Sequence, residues 1–219
     1  MRHQDIKSQD VHQHDPSDYD WEHAYTGQAS DLEPPDALIL QTIEALAPGR
    51  SLDVGCGAGG LVVELASRGW RASGIDLAEG AIRSSRAALA ERGLTATVEV
   101  ADASHWRPGH PYDLVTCAFA LPGTAEAQAR ALSMMRQAVA PGGHVILKDF
   151  DPGMQQVQPV FAAWHMLDID EVRRAFDGFE VLAAEVVSTP PHDHDGSGAH
   201  AGEHWTAAFF HARRPADAK

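Results

Sequence analysis

Apolar positions along the middle of this chain alternate between two rhythms. Short apolar runs recur at 51–54, 71–75, 95–100, 113–119 and 144–148. Runs of that length, bounded by Gly, Pro and charged residues, read as strands, and 113–119 is apolar enough to be buried on both faces. Helical spacing fills the intervals at 60–68, 79–92 (closed by Gly93) and 125–139. Ahead of them Asp36 predicts a helix cap, with Leu38, Ile39, Ile43 and Leu46 on one face and Pro48-Gly49 as the stop. Pro141-Gly142-Gly143 predicts a turn into the fifth strand. Strand–helix repetition of this kind predicts a doubly wound parallel sheet. After Phe150 the rhythm loosens into a partly apolar segment (Phe161, Trp164, Met166, Leu167) and a short helix from Asp168 to about Phe176. Two strands then follow, 179–187 and 204–212. They are joined by a polar insert without a helix, so they are expected to pair antiparallel.

Length and composition narrow the classes. A chain of 219 residues with 44% hydrophobic and 22% charged content suits a single folded domain. Residues 1–18 are polar, with His3, His12 and His14, and are expected to be a disordered tail, leaving 19–215 as the domain. Seventeen basic against 31 acidic residues give a net charge of −14, which argues against a nucleic-acid partner. No apolar run approaches the ~20 residues of a membrane span. The polar, His-rich start lacks a secretory apolar region, and the two cysteines, Cys56 and Cys117, fall in predicted elements or their turns. A reduced, cytoplasmic chain is expected, as a monomer or homodimer.

The chemistry concentrates where the first strand ends. Asp53-Val-Gly55-Cys56-Gly57-Ala-Gly59-Gly60 leads directly into a helix, and Asp76 ends the next strand. A glycine-rich turn between strand and helix exposes backbone N–H groups to a ligand, and a carboxylate at the neighbouring strand tip can accept ribose hydroxyls. An adenosine cofactor is therefore expected. Gly55, Gly57 and Gly60 spell the dinucleotide pattern GxGxxG, which keeps a nicotinamide dehydrogenase open. Gly55, Gly57 and Gly59 equally spell GxGxG, and Asp53 stands in front of them. A carboxylate there would repel a pyrophosphate and attract an ammonium group.

Together with Gly74-Ile-Asp-Leu-Ala, Ala101-Asp-Ala, Tyr112-Asp-Leu-Val and Ala140-Pro-Gly-Gly-His-Val, this loop resembles the class I S-adenosylmethionine-dependent methyltransferases over about residues 19–212. The resemblance implies a Rossmann-like seven-stranded sheet of order 3-2-1-4-5-7-6 with strand 7 antiparallel. It implies that Asp53, Gly55, Cys56, Gly57 and Gly59 hold the methionine part of S-adenosylmethionine and that Asp76 binds the ribose. Leu77 would pack on the adenine, Asp102 would accept from its amine, Ala103 would add a backbone contact, and Cys117 or Ala118 would line the site. The Trp21-Glu-His-Ala-Tyr25 stretch loosely resembles the tellurite-resistance and thiopurine methyltransferase branch. There an aromatic N-terminal segment, here 19–35 with Trp21 and Tyr25, would cover cofactor and substrate, although a second Trp expected in it is missing.

The acceptor is less legible. An Asn-Pro-Pro-Tyr type signature is absent after strand four, which disfavours nucleobase and glutamine amides as acceptors. A small molecule is expected, with a soft sulfur, selenium or tellurium nucleophile as one candidate. A soft atom needs no base, whereas a hydroxyl or ammonium does. Asp149, Asp151 and His165, together with His192 and His194 in the His-rich loop 189–203, are the candidate bases. His192, His194, His200 and His204 also have ligand types suited to zinc or nickel, though their spacing fits no closed metal motif, and a solvated loop is the plainer reading. A non-catalytic module that binds S-adenosylmethionine as a sensor or partner subunit is the alternative.

Overall fold

In the computed structural model, which describes residues 32, 34–190 and 204–217, Asp36 caps the helix α1 (Ala37–Ile43) by accepting from Leu38 N and Ile39 N. The expected alternation follows: β1 (Arg50–Val54), α2 (Gly60–Ser67), β2 (Arg71–Asp76), α3 (Glu79–Glu91), β3 (Thr97–Val100), β4 (Tyr112–Ala118), α4 (Ala125–Ala138) and β5 (Val139–Phe150). A short helix α5 (Met154–Val157), a 3-10 turn (Pro159–Ala163) and α6 (Ile169–Ala175) lead to the strands β6 (Glu180–Thr189) and β7 (Trp205–Arg213). The sheet order is β3-β2-β1-β4-β5-β7-β6. The β1–β5 ladders are parallel, and β7 runs antiparallel to both β5 and β6.

Strand alternation assigns the core to two layers. Val115 and Cys117 of β4, Val145 and Leu147 of β5 and Phe210 of β7 face one side, where they meet Leu132 and Met135 of α4 and Val172 and Phe176 of α6. Leu114, Ile146 and Phe209 face the other side, where they meet Ile39 and Ile43 of α1, Leu61 and Leu65 of α2, and Ile82 and Leu89 of α3. Full burial of each such side chain contributes about 1.5–3 kcal/mol. One buried ion pair ties α1 to the sheet: Lys148 Nζ lies 2.6 Å from Asp36 Oδ2. The same carboxylate therefore caps the helix and neutralises a buried ammonium.

The boundaries differ from the sequence expectation in one instructive place. Pro141-Gly142-Gly143 does not separate helix from strand. The helix stops at Ala138, and β5 begins at Val139, which pairs with Tyr112 before the register jumps to Leu114 opposite His144. The glycines form a bulge held from outside: Gly142 N donates to Arg214 O, Arg214 N donates to Gly143 O, and the Arg214 guanidinium donates to Val139 O at 2.7 Å. Gly142 has φ 79° there, which suits glycine. Trp21, Tyr25 and the rest of the expected lid up to residue 31, along with His192, His194 and His200, lie outside the described residues.

Candidate functional site

The order of the sheet reverses between β1 and β4, and the crevice at the carboxyl ends of the strands beside that point is where open α/β sheets take ligands. Asp53 is the penultimate residue of β1 and is buried. Its Oδ1 accepts from Thr116 Oγ1 of β4 at 2.7 Å. Burial raises its pKa to about 7; the Thr116 hydrogen bond pulls against this, and the nearby Asp76 charge adds to it. Thr116 is a site residue the sequence pattern did not single out. Its signal was a hydroxyl set among the apolar residues Leu114, Val115 and Cys117 of a central strand.

Past Val54 the chain turns through three left-handed glycines, with φ 71° at Gly55, 53° at Gly57 and 91° at Gly59. A side chain on Gly55 would collide with Ala120 Cβ, and one on Gly59 with the Ser85 side chain of α3. The turn is anchored to the next strand, since Gly55 N and Cys56 N both donate to Ile75 O. Asp76 closes it: its Oδ2 accepts from Gly57 N at 2.8 Å and its Oδ1 from Ala78 N at 2.9 Å. Cys56 is buried with its thiol over Gly74, where any side chain would strike it, and burial pushes both the Cys56 and Cys117 thiols upward. Each cysteine packs as a small apolar group, not as a thiolate.

Leu77 and Val100, at the ends of β2 and β3, are exposed apolar residues, 58% and 49% accessible. Beside them Asp102 folds into a tight turn. Its Oδ1 accepts from Ser104 N and Ser104 Oγ, and its Oδ2 meets His105 Nδ1 at 2.8 Å. Partial burial pushes its pKa up, but the Ser104 and His105 hydrogen bonds outweigh that and hold it below the usual carboxylate range. Ala103 follows it, half-buried.

On the far side of β4 the chain makes a turn of its own. Phe119 takes φ 52°, the left-handed region that non-glycine residues rarely enter. Its ring stacks at 4.9 Å on Phe150, which in turn meets Phe161 at 5.1 Å and Trp205 at 5.4 Å. Trp164 adds an edge contact to Phe161 at 6.0 Å. This aromatic wall was not foreseen, because its members come from four separate segments.

The expected bases meet different fates. Asp149 is held by backbone N–H groups of Leu121 and Phe150, and burial raises its pKa to about 6. His165 Nε2 lies 2.7 Å from Glu171 Oε2. Asp151 is buried; its Oδ1 accepts from Gly153 N, while its Oδ2 has no hydrogen-bond partner among the described residues. His204 is exposed just ahead of β7. Among the described residues no group of three His, Cys, Asp or Glu side chains is arranged to hold a metal ion, and no helix is long and apolar enough to cross a membrane.

A family model described as a methyltransferase domain matches residues 52–143. A ubiquinone biosynthesis O-methyltransferase of Thiobacillus denitrificans is 36% identical over 108 residues, covering 48% of this chain and 46% of that protein. The chain spans about half the length of the curated relatives it matches. Among solved structures, an S-adenosylmethionine-dependent methyltransferase from Methanosarcina mazei aligns with TM-score 0.67 at 18% identity, covering 84% of this chain and 100% of that one. TehB from Haemophilus influenzae aligns with TM-score 0.65 at 16% identity, covering 82% and 62%. At such identities the likeness speaks for the fold.

Proposed function

We propose that this chain, which matches a methyltransferase-domain model over residues 52–143, is a class I S-adenosylmethionine-dependent methyltransferase that transfers a methyl group to a small-molecule acceptor. The observation that carries this reading is a buried carboxylate, Asp53, set directly before three left-handed glycines, with Asp76 closing the loop from the next strand. Asp53 would receive the ammonium of the donor's methionine part, and the glycine backbone would lie against it. A carboxylate offers about four acceptor positions, enough for Asp76 to hold both the loop and the ribose hydroxyls. Leu77 and Val100 would flank the adenine. Asp102, fixed by Ser104 and His105, would present its carboxylate to the adenine amine, with Ala103 beside it. Bound there, S-adenosylmethionine supplies an electrophilic methyl on a sulfonium. The protein contributes alignment of that methyl with the acceptor and exclusion of water, which together can be worth several kcal/mol.

For the acceptor atom we propose a soft nucleophile, sulfur or a heavier chalcogen. Supporting this, Asp149 is committed to backbone N–H groups, and a soft nucleophile needs no base. A second reading is a phenolic hydroxyl. It is favoured by the aromatic wall of Phe119, Phe150, Phe161 and Trp205 and by the unpartnered Oδ2 of Asp151, which could accept a proton. The naming of relatives as ubiquinone biosynthesis O-methyltransferases agrees with it. The test is S-adenosylhomocysteine formation against thiols, chalcogenide anions, amines and phenols. Turnover confined to thiols and chalcogenides, and indifferent to Asp151→Asn, supports the first reading. Turnover of phenols that Asp151→Asn lowers by about 100-fold supports the second. No product with any acceptor contradicts both.

A further inference from the structure

The structure assigns Asp149 a task other than proton transfer: we infer that it is a positioning residue that fixes the wall between the donor loop and the acceptor side. The inference rests on the proposed donor site. Asp149 lies near the end of β5, where it pairs with Ala208 of β7 and is held on a rigid central strand. Its Oδ2 accepts from Leu121 N at 3.0 Å and its Oδ1 from Phe150 N at 2.8 Å, and the neighbouring Ala120 backbone favours its charged form. Leu121 and Ala120 belong to the segment that leaves β4.

That segment would not hold its shape from local preference. Phe119 N still donates to Lys148 O at 2.8 Å, continuing the β4–β5 ladder, but at φ 52° the residue turns the chain sharply off the strand. A bulky residue persists in that region only when its surroundings over-determine it. Anchoring Leu121, and with it the adjoining Ala120, through one carboxylate does so, with Phe119 secured from the other end by its ring contact to Phe150.

The consequence reaches the donor loop. Ala120 lies so close to Gly55 that a side chain on Gly55 would collide with it. Asp149, Ala120 and Gly55 therefore form a short mechanical path from β5 to the first glycine of the loop. Because the same segment carries Phe119 toward the aromatic wall, Asp149 sets the distance between the two halves of the site without touching either ligand.

The experiment uses the full chain and S-adenosylhomocysteine as probe. Asp149→Ala is expected to raise amide hydrogen exchange at Ala120 and Leu121 at least tenfold and to weaken calorimetric affinity for the probe about tenfold, while exchange in β1 and β4 stays unchanged. Asp149→Asn, which keeps one acceptor oxygen, is expected to recover part of both effects. If Asp149→Ala does not fold, Ala120→Val tests the path from its other end: a larger side chain against Gly55 should weaken probe affinity with Asp149 intact. Wild-type binding that neither Asp149→Ala nor Ala120→Val alters overturns the proposal alone. Failure of the wild type to bind the probe overturns the donor-site reading and this proposal together.

Discussion

At the residue scale the site turns on how one carboxylate is held. Asp53 is buried, its Oδ1 accepts from the Thr116 side chain, and burial raises its pKa to about 7. Below that value the free protein keeps Asp53 neutral; above it Asp53 is ionised. The donor's ammonium prefers the ionised form, so binding must expel a proton at low pH. Affinity for S-adenosylhomocysteine should therefore rise about tenfold or more between pH 5.5 and 7.5, then level once Asp53 is already ionised in the free protein. Calorimetry across that range checks the slope, and Asp53→Asn should both weaken binding and flatten it. A steep slope surviving in Asp53→Asn would place the titrating group elsewhere. Asp53 and the glycines were legible in sequence because their spacing is local. Thr116 and Ala120, which the fold brings from β4 and its exit, were not.

At the scale of elements, single side chains do the joining. Asp36 was legible as a helix cap, but its second role, pairing with Lys148 more than a hundred positions away, depends on packing that a linear pattern does not contain. The two partners should respond unequally to removal. Asp36→Ala removes the cap and strands a buried ammonium, and is expected to cost about 3–5 kcal/mol. Lys148→Met leaves Asp36 bonded to Leu38 N and Ile39 N and replaces the ammonium with an apolar group, so it should cost less. Urea unfolding of the two variants decides the order, and equal losses would mean that the ion pair does not hold α1 to the sheet. The Pro141-Gly142-Gly143 bulge teaches the same lesson. Its residues read as a turn, but Arg214, from beyond β7, draws them into the strand.

For the whole molecule, alternation of apolar runs gave the order of elements, and the missing helix between the last two strands gave their antiparallel pairing. Those features are periodic and repeated, so one chain carries them many times over. The proposed acceptor side is assembled once, from the exit of β4, the end of β5, the segment after it and the start of β7, with aromatic residues that in sequence look like ordinary core. Its chemistry could not be read before those segments met. What sequence and structure share is the donor side, and the central claim is that this loop holds a methyl donor and not a dinucleotide. Parallel calorimetric titrations of the wild-type protein with S-adenosylhomocysteine and with NADH test it most directly. A single saturable site for S-adenosylhomocysteine, weakened at least tenfold in Asp76→Ala, and no heat with NADH are expected. Saturable NADH binding with a flat S-adenosylhomocysteine titration would contradict it.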